Sequence, residues 1–161
     1  MIDILVYLFE TYGYADACPR EPDLLARRLS AEGFEEADIS SALEWLSGLR
    51  GAVQGTQPSA ADNRSIRVFS DSEAARLSVA SRGFLTFLCA SGVINAARRE
   101  RIIERALALP SPEISLSEIK VTMLMVLWQD KAEVDGLLLN ELMTEEVEGE
   151  EEVWGEAVLV H

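Results

Sequence analysis

The residues that could carry chemistry are few. The chain has one histidine, His161, at its last position, and two cysteines, Cys18 and Cys89, far apart in sequence. A hydrolytic triad needs an imidazole held between a nucleophile and a carboxylate, and a chain end is a poor place for preorganised geometry. Zinc needs about four N, S or O ligands at close spacing, and the sequence has no such cluster. Both cysteines read as small core residues of a protein in a reducing cytoplasm. Gly48, Gly51 and Gly55 stand singly and no Lys-Ser or Lys-Thr follows them, so they serve turns rather than a phosphate loop. Glu35, Glu36, Asp38 and Glu44 share one stretch without an interleaved His, Cys or base, which is the pattern of a solvated helix face. The expectations are no catalytic residue, no cofactor, no metal and no enzymatic activity.

One basic constellation stands out. Arg98, Arg101 and Arg105 are three and four residues apart and line one strip of a helix, with Arg99 offset and Glu100 and Glu104 close by. Its plain reading is an exposed face with an internal Arg101–Glu104 pair. Its sharper reading is an anchor for an acidic partner or for the chain's own acidic tail. Trp45 joins it as a candidate contact, because aromatic and arginine anchors carry much of the energy of protein interfaces.

The elements that position these residues follow from periodicity. Ile2, Leu5, Val6, Phe9 and Tyr12 predict a helix over 2–13, apolar on both sides and so central to its core. Pro22 suits a first helical position of a helix over 21–32, and Gly33 its left-handed stop. A third helix over 36–47 buries Ile39, Ala42, Leu43 and Leu46, and Gly48 closes it. A short strand at Ala52–Gln54 and a better one at Ser65–Phe69 flank a turn-rich stretch. Ser70 and Glu73 form a capping box that opens a long helix to about Ala90. Asn95 caps a helix over 96–108. Ser115 and Glu118 form a second capping box before a very apolar helix through Trp128. A last helix is predicted over 131–146.

This order predicts a mainly α fold. Residues 1–69 form an N-terminal winged-helix-like three-helix unit with a short β-hairpin, residues 70–146 a C-terminal helical bundle packed on it, and residues 147–161 an acidic C-terminal tail. The chain has 161 residues, 48% of them hydrophobic, and a formal charge of −14. That suffices for a core without disulfides or metal and argues against disorder. No run reaches the ~18 apolar residues of a membrane span, and the N-terminus lacks a basic leader. A cytoplasmic protein without a membrane partner is expected.

Charge placement bears on partners. Residues 1–50 hold ten acids and four bases, residues 51–140 ten of each, and residues 141–161 eight acids and no base. The second helix of a helix-turn-helix would enter the major groove, but here that helix, Glu35 to Ser47, carries Glu35, Glu36, Asp38 and Glu44 and no Lys or Arg. Carboxylates against phosphates are repulsive. Specific binding of duplex DNA is not expected, although Arg50, Arg64 and Arg67 sit at or on the hairpin and a nucleic-acid-associated winged helix is the competing reading.

The blocks IDILVYLFE, DLLARRLSAEGFEEADISSALEWL, SRGFLTFL with GVIN, RRERIIERALAL and LSEIKVTMLMVLW, in this order over most of residues 1–128, resemble the bacterial Smg family. The resemblance weakens after Trp128, where Gly136-Leu-Leu-Leu replaces the aromatic residues of the family's last helix. The resemblance implies no catalytic residue. By gene context it implies a link to DNA-processing or translation machinery. Together with the acidic helix, it leads to a cytoplasmic, non-enzymatic protein-interaction module whose contacts include Arg98, Arg101, Arg105 and Trp45.

Overall fold

A computed structural model describes residues 1–13, 15–52, 68–133 and 136–143. Within them lie α1 (Ile2–Thr11), a 3-10 turn (Ala15–Ala17), α2 (Pro22–Ala31), α3 (Glu36–Ala52), α4 (Asp71–Arg76), α5 (Val79–Ala90), α6 (Ala96–Leu107), α7 (Leu116–Gln129) and α8 (Gly136–Met143). The described residues contain no β-strand; one isolated parallel bridge joins Leu77 to Ile114. The chain is mainly α, as its periodicity predicts. Most of the expected hairpin, residues 53–67, and the tail, 147–161, lie outside the described residues. Val68 at the hairpin's end projects into solvent, while Phe69 packs partly against the core.

The fold is organised around α7. Its capping box forms as expected, with Glu118 N–H donating to Ser115 Oγ at 3.2 Å and Ser115 N–H to Glu118 Oε2 at 2.8 Å. Every residue from Ile119 to Trp128 is buried, as befits a helix that is apolar all round. α1, α3, α5, α6 and α8 all pack against it. Its polar members are satisfied internally. Thr122 Oγ1 donates to the Glu118 carbonyl at 2.8 Å, and Trp128 Nε1 donates to the Tyr12 carbonyl at 2.8 Å. The Lys120 ammonium lies 3.4 Å from Glu141 on α8 and 5.7 Å from the Phe84 ring centre. One core cluster includes Ile4, Leu29 and Leu49 from the first half and Leu85, Ile103 and Leu124 from the second.

α2 and α3 are joined by a short turn at Gly33. Gly33 has φ +96°, a conformation that a Cβ disfavours. Its N–H donates to the Ser30 carbonyl at 3.1 Å and the Phe34 N–H to the Leu29 carbonyl at 3.3 Å, the Schellman pattern. Phe34 then meets Tyr7 edge-on at 5.6 Å.

Three boundaries differ from the predicted ones. α3 does not stop at Gly48 but continues to Ala52. Gly48 is a close-approach site: a Cβ there would run into the Arg105 guanidinium. The long helix expected over 70–90 is two helices. Leu77 is extended, with φ −85° and ψ 125°, because its strand-like bonds bind the chain to residue 114. The Ser78 N–H donates to the Ile114 carbonyl at 3.1 Å and the Ile114 N–H to the Arg76 carbonyl at 2.6 Å. Ser78 then caps α5 by accepting from the Ser81 N–H at 3.1 Å. Finally, α8 begins at Gly136 rather than at 131, since α7 ends in a left-handed turn with Lys131 at φ +54°.

Candidate functional site

The α6 arginines face inward. Arg98 Nε donates to Asp130 Oδ2 at 3.0 Å, and Arg101 Nη1 donates to Asp130 Oδ1 at 2.5 Å. Asp130 is the C-cap of α7, so this pair of bonds ties α6 to the end of the central helix. Arg105 turns to α3. Its Nη1 donates to the Trp45 carbonyl at 3.4 Å, and Trp45 Nε1 donates to the Arg105 carbonyl at 2.8 Å. Gly48 clears the space that the guanidinium occupies.

These contacts correct the expectation of an exposed strip. Trp45 is 3% exposed, and the side chains of Arg101 and Arg105 are 11% and 12% exposed. The expected Arg101–Glu104 pair gives way to Arg101–Asp130. Helical spacing identified the shared face, but the decisive partner, Asp130, is remote in sequence. A signal was available: an aspartate at the C-terminus of an apolar helix opposes the helix dipole and so calls for cationic neighbours.

The cysteines differ in setting. Cys18 is buried and Cys89 half-buried. Burial pushes the Cys18 thiol up, against the opposing charges of Arg50 and Arg28. The described residues contain no group of three or more His, Cys, Asp or Glu arranged to hold a metal ion, and none of their helices is long and apolar enough to cross a membrane.

Two surface features have the composition of binding sites. One is a cleft of about 410 Å³ between the 3-10 turn, α2 and α3, with Arg20, Arg50, Asp16 and Gln129 around an aliphatic floor. Asp16 is paired with Lys131 and, at 3.5 Å, with Arg20. Lys131, and secondarily Arg20, hold its carboxyl below the ordinary aspartate value. A depressed folded-state pKa contributes stability above the unfolded value, and that contribution is lost as pH falls through the folded one. A carboxyl-carbon NMR titration should therefore place the Asp16 midpoint below that of an unpaired aspartate, and Lys131→Ala should raise it. A midpoint unmoved by Lys131→Ala would show that the pair does not persist in solution.

The other feature is the outer side of α5. Its inner side is Ser81, Leu85 and Leu88. Its outer side is Val79, Ala80, Gly83, Thr86, Phe87 and Ala90, all exposed and all uncharged. Val79 and Phe87 are 76% and 65% exposed.

The chain matches the family described as "Protein of unknown function (DUF494)" over residues 1–151. It is similar to the "Protein Smg homolog" of an Azoarcus species, at 54% identity over 145 residues, 89% of this chain and 93% of that protein. The "Protein Smg homolog" of Aromatoleum aromaticum is 48% identical over 148 residues, 92% of this chain and 96% of that protein. The protein of the same description from Bordetella pertussis is 50% identical over 147 residues, 91% of this chain and 96% of that protein. No solved structure matches the chain significantly. The family match covers all eight described helices, and on that footing the chain belongs to the bacterial Smg family.

Proposed function

We propose that this protein is a non-enzymatic interaction module of the bacterial cytoplasm that docks another protein through the outer face of α5. The carrying observation is that face itself. In a chain of net charge −14, six outward positions of one helix bear no charge, and Phe87 stands 65% exposed among small neighbours. Apolar surface of this kind is the material of interface cores, from which charged residues are depleted, and a protruding aromatic is the usual anchor. The role expected of the α6 arginines and Trp45 passes to α5, because internal partners occupy those side chains.

The winged-helix-like reading of residues 1–69 belongs to this proposal as a protein-contacting variant. Glu36, Asp38 and Glu44 are exposed on α3, which supports a protein partner over duplex DNA. The gene context implied by the family directs the search for that partner to DNA-processing and translation machinery.

Phe87→Asp tests the reading. The position is exposed, so stability should change by no more than about 0.5 kcal/mol, while quantitative affinity capture should lose the proteins that the parent retains. Capture of the same proteins in the same yield would remove α5 as the docking face.

A further inference from the structure

We propose that the cleft between the 3-10 turn, α2 and α3 binds the free C-terminal end of a peptide whose last side chain is apolar. This goes beyond the α5 reading and does not rest on it. The first argument is charge placement. Residues 1–50 hold ten acids and only four bases, yet two of those four, Arg20 and Arg50, converge on this cleft. A third, Arg28, is engaged with the Tyr12 hydroxyl at 3.0 Å. A random scatter of solubilising charge would not concentrate the scarce cations around one concavity.

The second argument is the combination of groups. The floor is Leu25, Leu43 and Leu46, of which Leu25 and Leu46 are buried. Arg50 Nη2 donates to the Pro19 carbonyl at 3.4 Å and the guanidinium also faces the Cys18 thiol, but a guanidinium has five N–H donors. Asp16 retains acceptor capacity beyond its pairs with Lys131 and Arg20, since a carboxylate offers about four lone-pair sites. The cleft thus presents guanidinium donors, a carboxylate acceptor and an aliphatic surface together. The last residue of a peptide carries the complementary three: a carboxylate, a backbone N–H and a side chain. A phosphate has no group for the aliphatic floor. A purely apolar ligand would leave the arginines unused. The volume, about 410 Å³, lies in the range of ligand-binding cavities, and capture of a terminal carboxylate is an established mode of peptide recognition.

Titration calorimetry on the full chain tests the proposal with three probes: the tripeptide acetyl-Ala-Ala-Leu as free acid, its carboxamide, and 4-methylpentanoate, which keeps the carboxylate and the side chain but has no backbone N–H. The acid should bind, and the carboxamide at least about tenfold more weakly. Arg20→Gln and Arg50→Gln should each weaken the acid by about tenfold, and Arg50→Lys should restore only part, because an ammonium cannot present a planar fork. Added salt should weaken binding of the acid. Because Arg50 also holds the Pro19 carbonyl, its variants are to be melted alongside. Should they unfold, Arg20→Gln decides, since the Arg20 side chain is 79% exposed. Equal affinity for acid and carboxamide would overturn the proposal, as would no binding of the acid up to about 5 mM, an affinity too weak to matter. 4-Methylpentanoate binding as tightly as the tripeptide would overturn the peptide assignment in favour of a small organic acid. Phe87→Asp should leave tripeptide binding unchanged, so failure here is distinguishable from failure of the α5 reading.

Discussion

Asp130→Ala is expected to destabilise the fold by about 3 kcal/mol, the scale of removing one partner from a buried ion pair. Both carboxylate oxygens of Asp130 are engaged, by Arg98 and by Arg101. Arg101 is the more buried of the two, and its Nε and Nη2 are buried with no hydrogen-bond partner among the described residues. Removing the carboxylate strands that guanidinium at the α6–α7 junction. For a chain of this length, about 2–4 °C of melting temperature per kcal/mol predicts a loss of roughly 6–12 °C. The pair does not have to be stabilising relative to an apolar alternative. An Arg101→Met, Asp130→Leu double variant should recover most of the loss, because well-packed apolar residues often match a buried ion pair. The same logic governs charge reversal at Arg101, which should lower stability far more than a surface substitution does. A change of less than about 0.5 kcal/mol in Asp130→Ala, the level of ordinary surface sites, would show that the pairs are solvated and the arginines free.

Local signals carried much of the fold. Ser70, Asn95 and Ser115 cap α4, α6 and α7 as their side chains suggest, since a cap depends on residues within one turn. Gly33 and Gly92 end α2 and α5 at positive φ for the same local reason. The burial of α7 was legible because its unbroken apolar run, Met123 to Trp128, goes all the way round the helix. What was not legible is tertiary. Gly48 looks like a helix stop in one dimension, and only the approach of Arg105 from α6 shows why the position inside the helix is a glycine. Leu77 sits in a helical pattern, yet bonds to residue 114 hold it extended. The α6 arginines had the right shared face and the wrong direction, because periodicity orders residues around an axis without saying what lies opposite. The outward direction of α5 was not legible because Phe87 and Leu88 are adjacent and equally apolar. Which of them faces solvent is set by where α7 lies.

Arg76→Ala is expected to cost about 2–3 kcal/mol, from the loss of charge-assisted hydrogen bonds worth roughly that much when the acceptors are part-buried. Arg76 closes α4, and its guanidinium reaches back to the end of α6. Nη1 donates to the Leu107 carbonyl at 2.6 Å, and Nη2 donates to the carbonyls of Leu109 at 3.0 Å and Ser111 at 2.7 Å. The last carbonyls of a helix lack intrahelical donors, and Pro110 and Pro112, immediately downstream, have no N–H to offer. One planar fork therefore serves three acceptors that the local chain cannot. Arg76→Lys should recover less than half, since an ammonium is a point donor. The effect should also be localised. The Arg76 carbonyl accepts from the Ile114 N–H, and the Ile114 carbonyl accepts from the Ser78 N–H and from Ser81 Oγ at 2.9 Å. The first turn of α5 is anchored through that residue. Amide exchange at Ser78 and Ile114 should accelerate in Arg76→Ala before exchange along α7 does, because local opening precedes global unfolding where few bonds hold a segment. If α5 docks a partner, loosening its anchor should weaken capture even with Phe87 intact. Unchanged exchange at both amides would show that the bridge stands without the arginine and that α5 is held by its packing on α6 and α7 alone.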